Sequence, residues 1–334
     1  MPAFRYLELP ISGTRSLAWN GEELVDWLGL AARYGLDGSR TEGVVNFGYR
    51  FDSVVQSPDG IYAVLYERRG TKGVVVRGHQ VVREIDRSYY QANLYDYPIT
   101  LFRLPDGRMA LAHCPTGYNR LEIELLETGE RLTSRSDDDV ELADVFHSGL
   151  AVDPSGAWLM SAGWLWHPFL QVAFHAIADA LREPSLLDRN DGALAHEAEI
   201  ASAVFLDADR VVLASDPDAE NAQEGEPDVQ FQPGMIGVYR PGARRWDSLV
   251  AFDAPTGRLL AVDTDHVLAL YQHPKLIHLP TGRIVESWPQ IDSGTWKGCI
   301  LGPNALPPTS WDPIEKRLAV AASDKIQILT LAAA

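Results

Sequence analysis

Three histidines and an aspartate supply the residue types from which a metal or acid–base site could be built. His113, His147 and His167 fall near the ends of β-rich runs, and Asp144 lies close by. Three imidazoles can hold zinc with water as a fourth ligand if their nitrogens converge to about 2.0–2.2 Å from the ion. The same groups could trade protons as a general acid and base. Groups on adjacent repeats are commonly too far apart to converge so closely, so loop and capping roles are the expectation, with no metal and no cofactor. No other catalytic signature competes: GxSxG, Walker A and a helix-opening GxGxxG are all missing from the sequence. His196-Glu197 lacks the second histidine of HExxH. The run from Asp216 has Asn221 where a calcium loop needs Gly and Pro227 where it needs Glu, so it reads as a solvated acidic loop.

Binding chemistry is better represented than catalysis. Segment 88–98 carries Tyr89, Tyr90, Tyr95 and Tyr97, and segment 163–169, taken as a loop, carries Trp164 and Trp166 beside His167. Tyrosine and tryptophan offer large contact areas with few rotatable bonds, which suits them to binding surfaces. The competing use is packing between structural units with their polar tips satisfied. Acidic residues follow on comparable loops: Asp138, Asp139 and Asp144, then Asp216 to Asp228. The chain has 29 basic and 46 acidic residues, a formal net charge of −17. That excess argues against a nucleic-acid backbone or an anionic membrane as partner, since both call for a basic face. The pairs Arg68-Arg69 and Arg244-Arg245 are too few to form one.

These loops need a scaffold, and the scaffold is repetitive. A β-rich run, an Asp/Pro/Gly turn and a second β-rich run recur at 52–67, 99–113, 148–163, 202–215, 258–272 and 309–323. The turns are spaced by roughly 50 residues, as propeller blades are. Proline presets φ, aspartate accepts a local hydrogen bond and glycine tolerates positive φ, so PDG-like turns close hairpins well. Third and fourth runs follow, turning at Thr128-Gly129, Pro241-Gly242 and Thr281-Gly282. Four strands per unit make a propeller blade. With one more copy at 15–38, seven units fill the 334 residues.

The last unit ends at 325–331 without a fourth strand, while 4–11 is an unassigned strand-like segment. Pairing the two closes the ring and removes its open edges. The expectation is therefore an all-β, seven-bladed β-propeller forming a single domain over 1–334. Two segments look helical. Asn20-Gly21-Glu22-Glu23 before 24–35 resembles a capping box opening a helix, but the stretch is kept as a strand pair, because its neighbours repeat. Segment 168–183 has Leu170, Phe174, Ile177 and Leu181 at helical spacing, and reads as a third strand running into a short helix.

Segments RSYYQANLYDYPITLFRLPDGR, HCPTGYNRLEIELLETGERLT and FHSGLAVDPSGAWLMSAGWLWHP, all between 87 and 168, carry a resemblance. The chain resembles WD40-like, seven-bladed β-propellers of bacteria, in particular uncharacterised actinobacterial-type ones. A WD40 repeat has Gly-His early and Trp-Asp ending the third strand. Here Gly78-His79 is read inside a strand region and Trp311-Asp312 in a turn, so neither supports that hydrogen-bond network.

Cys114 and Cys299 make neither a disulfide framework nor a CxxC site, and MPAFRYLELPISG lacks the form of a signal peptide; both favour the cytoplasm. The functional expectation is a non-enzymatic, monomeric, cytoplasmic propeller. Its basic protein partner would bind an aromatic and acidic loop face: Tyr89, Tyr90, Tyr95, Tyr97, Asp138, Asp139, Asp144, His147, Trp164, Trp166 and His167. An inhibitor or immunity-type role falls within that class. The alternatives are a hydrolase or lyase, or a small-ligand-binding protein, with its site at the mouth of the central channel.

Overall fold

The computed structural model describes residues 4–43, 49–136, 142–165, 169–189, 194, 198–218, 230–298 and 306–331. Seven antiparallel sheets follow one another along the chain. Blade 1 comprises Ala18–Asn20, Glu23–Asp26, Ala32–Gly35 and Arg40–Thr41, and blade 2 Ser53–Gln56, Tyr62–Tyr66, Lys72–Arg77 and Gln80–Asp86. Blade 3 has Thr100–Arg103, Met109–His113 and Glu122–Leu125, and blade 4 has Val145–Val152, Trp158–Leu165 and Phe169–Ala176. Blade 5 comprises Ile200–Phe205, Val211–Ser215, Met235–Arg240 and Arg245–Ala251, and blade 6 Leu259–Ala261, His266–Ala269, Lys275–His278 and Arg283–Ser287. Blade 7 contains Thr309–Asp312, Arg317–Ala321 and Ile326–Leu331, and its fourth strand is Phe4–Leu9. That strand pairs from Phe4 opposite Leu331 to Leu9 opposite Ile326. First strands of successive blades lie side by side around the axis. The architecture is an all-β, seven-bladed propeller.

The core lies between the blades. Seven apolar layers separate the seven sheets, one per interface. Side chains of a strand alternate between faces, so a second strand must be apolar on both. In Tyr62–Tyr66, Ala63 and Leu65 face blade 1 while Tyr62 and Val64 face blade 3. The runs YAVLY, MALAH, VVLAS and RLAVA have this origin.

Blades 3 and 4 have three named strands each. In blade 3 an isolated bridge between Glu124 and Arg131 stands in the fourth-strand position. In blade 4 the third strand runs directly into helix α1 (Ile177–Arg182), as its spacing suggested, followed by a 3₁₀ turn at Pro184–Leu187. Ile177, Ala180 and Leu187 pack into the layer shared with blade 3. A buried ion pair fastens this segment: Arg135 Nε donates to Asp188 Oδ2 at 2.6 Å. Segment 20–35 holds a strand pair, Glu23–Asp26 against Ala32–Gly35.

Three local readings need correction. Gly78-His79 forms the turn between two strands of blade 2, with Gly78 at φ +56°, and is not inside a strand. Trp311-Asp312 ends the first strand of blade 7 and is not a turn. Trp164 belongs to the second strand of blade 4, so segment 163–169 is not one loop. No described helix is long and apolar enough to cross a membrane.

Candidate functional site

Loops that precede first strands, and loops that join second to third strands, emerge on one face of the ring, here the upper face. The 87–99 loop before blade 3 is built around Arg87. Its guanidinium donates to the carbonyls of Gly70 at 2.6 Å, Ala92 at 2.7 Å, Tyr95 at 3.1 Å and Asp96 at 3.2 Å. It also sits 4.4 Å over the Tyr95 ring and 5.0 Å over the Tyr97 ring. Tyr95 and Tyr97 are buried as a result, and burial pushes the Tyr95 phenol up to about 12. Tyr89 and Tyr90 are turned outward, 81% and 48% exposed.

Beneath Tyr90 runs a stack of rings. Tyr90 lies 4.9 Å from Tyr118, Tyr118 lies 4.5 Å from Phe146, and Phe146 lies 4.1 Å from Trp164 at 6°. Phe146 and Trp164 are buried, so the outer rings rest on a packed base. Tyr118 donates its hydroxyl to Asp144 Oδ1 at 2.6 Å. Burial and that carboxylate push the Tyr118 phenol up to about 12. The structure thus brings Tyr90, Tyr118 and the exposed Asp144 together, with Tyr89 on the same loop. Tyr118 and Phe146 escaped the sequence reading, because only the ring spacing marks them.

The remaining expected residues divide into two groups. His147 is buried, with Nδ1 2.6 Å from Ser161 Oγ, and burial followed by His175 pushes its imidazole down to about 3. Tyr95, Tyr97, His147 and Trp164 therefore support the surface from beneath and do not face solvent. Asp138, Asp139, Trp166 and His167 lie outside the described residues. His113 is buried in blade 3, with Nε2 3.0 Å from Glu124 Oε1 and Nδ1 3.3 Å from the Tyr97 hydroxyl. Among the described residues, no three His, Cys, Asp or Glu groups are placed to hold one ion.

The axis of the ring is a second feature. A cavity of about 750 Å³ runs along it, with Leu150, Val152, Phe205, Leu259 and Trp311 in its walls. Its upper mouth is polar, lined by Asp52, Arg68, Asp96, Arg258 and Trp296. Two β-bulges help to set this mouth, since an extra residue re-aims neighbouring groups. One falls between His147 and Gly149, where Ser148 Oγ accepts from the Asp96 amide at 3.1 Å. The other falls between Ile200 and Ser202, and Ser202 donates to the Gly257 carbonyl, beside Arg258, at 2.6 Å. Arg68 and Arg69 approach Asp96 at 3.6 and 3.5 Å. Burial raises the Asp96 carboxyl above its ordinary range, opposed by Arg68 and Arg69.

No family model and no curated protein matches the chain. Solved structures do. The chain is similar to the Neurospora crassa Pan2 WD40 domain, with TM-score 0.55, 11% identity, and coverage of 99% of this chain and 96% of that one. It is similar to a chain of the mitotic checkpoint complex at TM-score 0.58 and 11% identity, over 99% and 92%. A catalytically inactive virginiamycin B lyase from Staphylococcus aureus with quinupristin gives TM-score 0.53 and 14% identity, over 98% and 100%. At these identities the likeness establishes a WD40-like propeller fold and leaves activity to the site.

Proposed function

We propose that this chain is a non-enzymatic cytoplasmic propeller, a monomer and a single domain, that binds a basic protein partner on its upper face. Tyr89, Tyr90 and Asp144 form the centre of the contact. The observation that carries this reading is the outward pair Tyr89 and Tyr90 on a loop held by Arg87, with Tyr90 resting on stacked rings. A surface already ordered loses little conformational entropy on binding. Asp144 beside it, in a chain of net charge −17, favours a basic partner. The presence of a similar propeller in the mitotic checkpoint complex is in keeping with a role in assembly.

The test is a quantitative pull-down from native lysate with three baits: wild type, Tyr89→Ala/Tyr90→Ala and Asp144→Lys. A basic protein held by the wild type, lost by the double variant and weakened by Asp144→Lys is the expected result. Equal recovery by all three baits, insensitive to salt, rejects the assignment.

A further inference from the structure

Two histidines stand side by side in blade 6, on the face of the ring opposite Tyr89 and Tyr90. His266 opens the second strand and His278 ends the third, and the two are register partners. The Leu279 amide donates to the Asp265 carbonyl at 2.7 Å, so the adjoining pair, His266 and His278, occupies a position without backbone hydrogen bonds of its own. Side chains approach most closely at such positions. Leu268 and Leu276 pack toward blade 7, and alternation turns His266 and His278 the same way. The two ring centres lie 5.2 Å apart, with their planes inclined by 46°. Both side chains are half-buried beside the turns of the lower face.

Local partners fix the tautomer of each ring. His266 Nδ1 lies 2.9 Å from Asp263 Oδ1. A carboxylate only accepts, so Nδ1 carries the hydrogen and Nε2 keeps its lone pair. Thr281 Oγ1 lies 2.9 Å from His278 Nδ1 and donates its own hydrogen to the His278 carbonyl at 3.4 Å. That hydroxyl therefore accepts from Nδ1, which again leaves the lone pair on Nε2. Among the described residues, neither Nε2 has a hydrogen-bond partner. An imidazole oriented from its far nitrogen by a carboxylate or another acceptor is the usual form of a metal-binding histidine.

Two imidazoles that hold one tetrahedral ion at about 2.0–2.1 Å keep their ring centres about 5 Å apart, which is the spacing of this pair. The surrounding charge narrows the choice of ion. Arg283 stands opposite His278 on the fourth strand, and Lys316 of blade 7 acts electrostatically on Asp263. Those cations oppose a hard ion held by charge and oxygen, such as magnesium, whereas imidazole suits zinc, copper and nickel. We infer that His266 and His278 form a binding site for a first-row divalent transition ion, with their Nε2 atoms as ligands and water in the remaining positions. Two protein ligands define an open site that exchanges its ion, unlike the closed four-ligand sites that support a fold. The site rests on blade 6 alone and is independent of the proposed protein partner.

Isothermal titration of the full chain with zinc chloride, with magnesium chloride as competitor, is the test. The tightest class of site should take one equivalent of zinc and persist in a large excess of magnesium. Asp263→Asn should weaken it by about tenfold, and His266→Gln or His278→Gln, each of which removes a ligand, by more. His79→Gln, at an exposed turn of blade 2, should leave it unchanged. Melting curves without metal establish that each variant is folded. Copper(II) electron paramagnetic resonance needs no variant: at one equivalent, the wild type should show splitting from two nitrogen ligands. No saturable zinc binding at sub-millimolar concentration, full competition by magnesium, a copper spectrum without two nitrogen ligands, or wild-type affinity in folded His266→Gln would each overturn the inference.

Discussion

Arg87 holds its guanidinium carbon 4.4 Å above the ring of Tyr95 and donates to the Tyr95 carbonyl at 3.1 Å. One buried cation thus satisfies the backbone of the loop and fixes its rings. The division between inward Tyr95 and outward Tyr89 follows from this one residue.

Arg87→Ala should lower the stability of the protein by about 3 kcal/mol, because buried carbonyls lose their donors together. The damage should centre on 88–98. Hydrogen exchange of that loop, compared with the second strand of blade 5, is the measurement. Uniform protection across both would show that the loop does not depend on Arg87.

The seven-fold ring was legible because each second strand is buried on both faces, and a run such as VVLAS has no other comfortable place in a soluble chain. The closing strand was legible for a related reason: Ile326–Leu331 required a partner, and Phe4–Leu9 had none. The site was less so. Four tyrosines in one loop are alike in type, and only Arg87 separates the buried pair from the exposed one. The channel mouth was hidden more deeply. Asp52, Asp96 and Arg258 belong to three blades, and their approach depends on strand register and on bulges at His147/Gly149 and Ile200/Ser202. A fuller use of the repeat could have found it, because each of these residues precedes a first strand by only a few positions.

Asp188 and Arg135 pin helix α1 and its 3₁₀ turn to blade 3, and both side chains are well buried. Arg135 also lies 3.4 Å from Glu122. Asp188→Asn keeps the shape but removes a charge, leaving a buried guanidinium short of its counterion. A cost of about 3 kcal/mol is expected, read as a lower urea midpoint with an unchanged slope. Arg135→Met combined with Asp188→Leu should recover part of it. A midpoint for Asp188→Asn equal to wild type would place the anchoring elsewhere.

Removing residues 1–9 should open the ring. Leu9 is buried in the layer between blades 7 and 1, and its burial alone is worth about 2 kcal/mol. The larger consequence is that Ile326–Leu331 becomes an edge strand able to pair with another chain. Light scattering after size-exclusion chromatography should show species larger than those of the full chain, alongside a lower melting temperature. A truncated protein with the same oligomeric state and stability as the full chain would mean that the strand only decorates blade 7.

His147 supplies a pH dependence whose direction is set by its burial. The folded protein holds the imidazole near 3, against an ordinary 6.5, chiefly through burial and secondarily through His175. Below 6.5 the unfolded chain therefore binds a proton that the folded chain refuses. Stability from this group is full above pH 6.5 and falls as the pH drops toward 3. Between pH 8 and pH 5 the loss amounts to about 2 kcal/mol. Other groups titrate in that interval, so the wild type must be compared with His147→Gln, which retains a polar partner for Ser161. Urea midpoints measured at both pH values should show the wild type losing more stability than the variant, by about that amount. Parallel pH profiles would mean that His147 takes up its proton without cost, as a solvated histidine does.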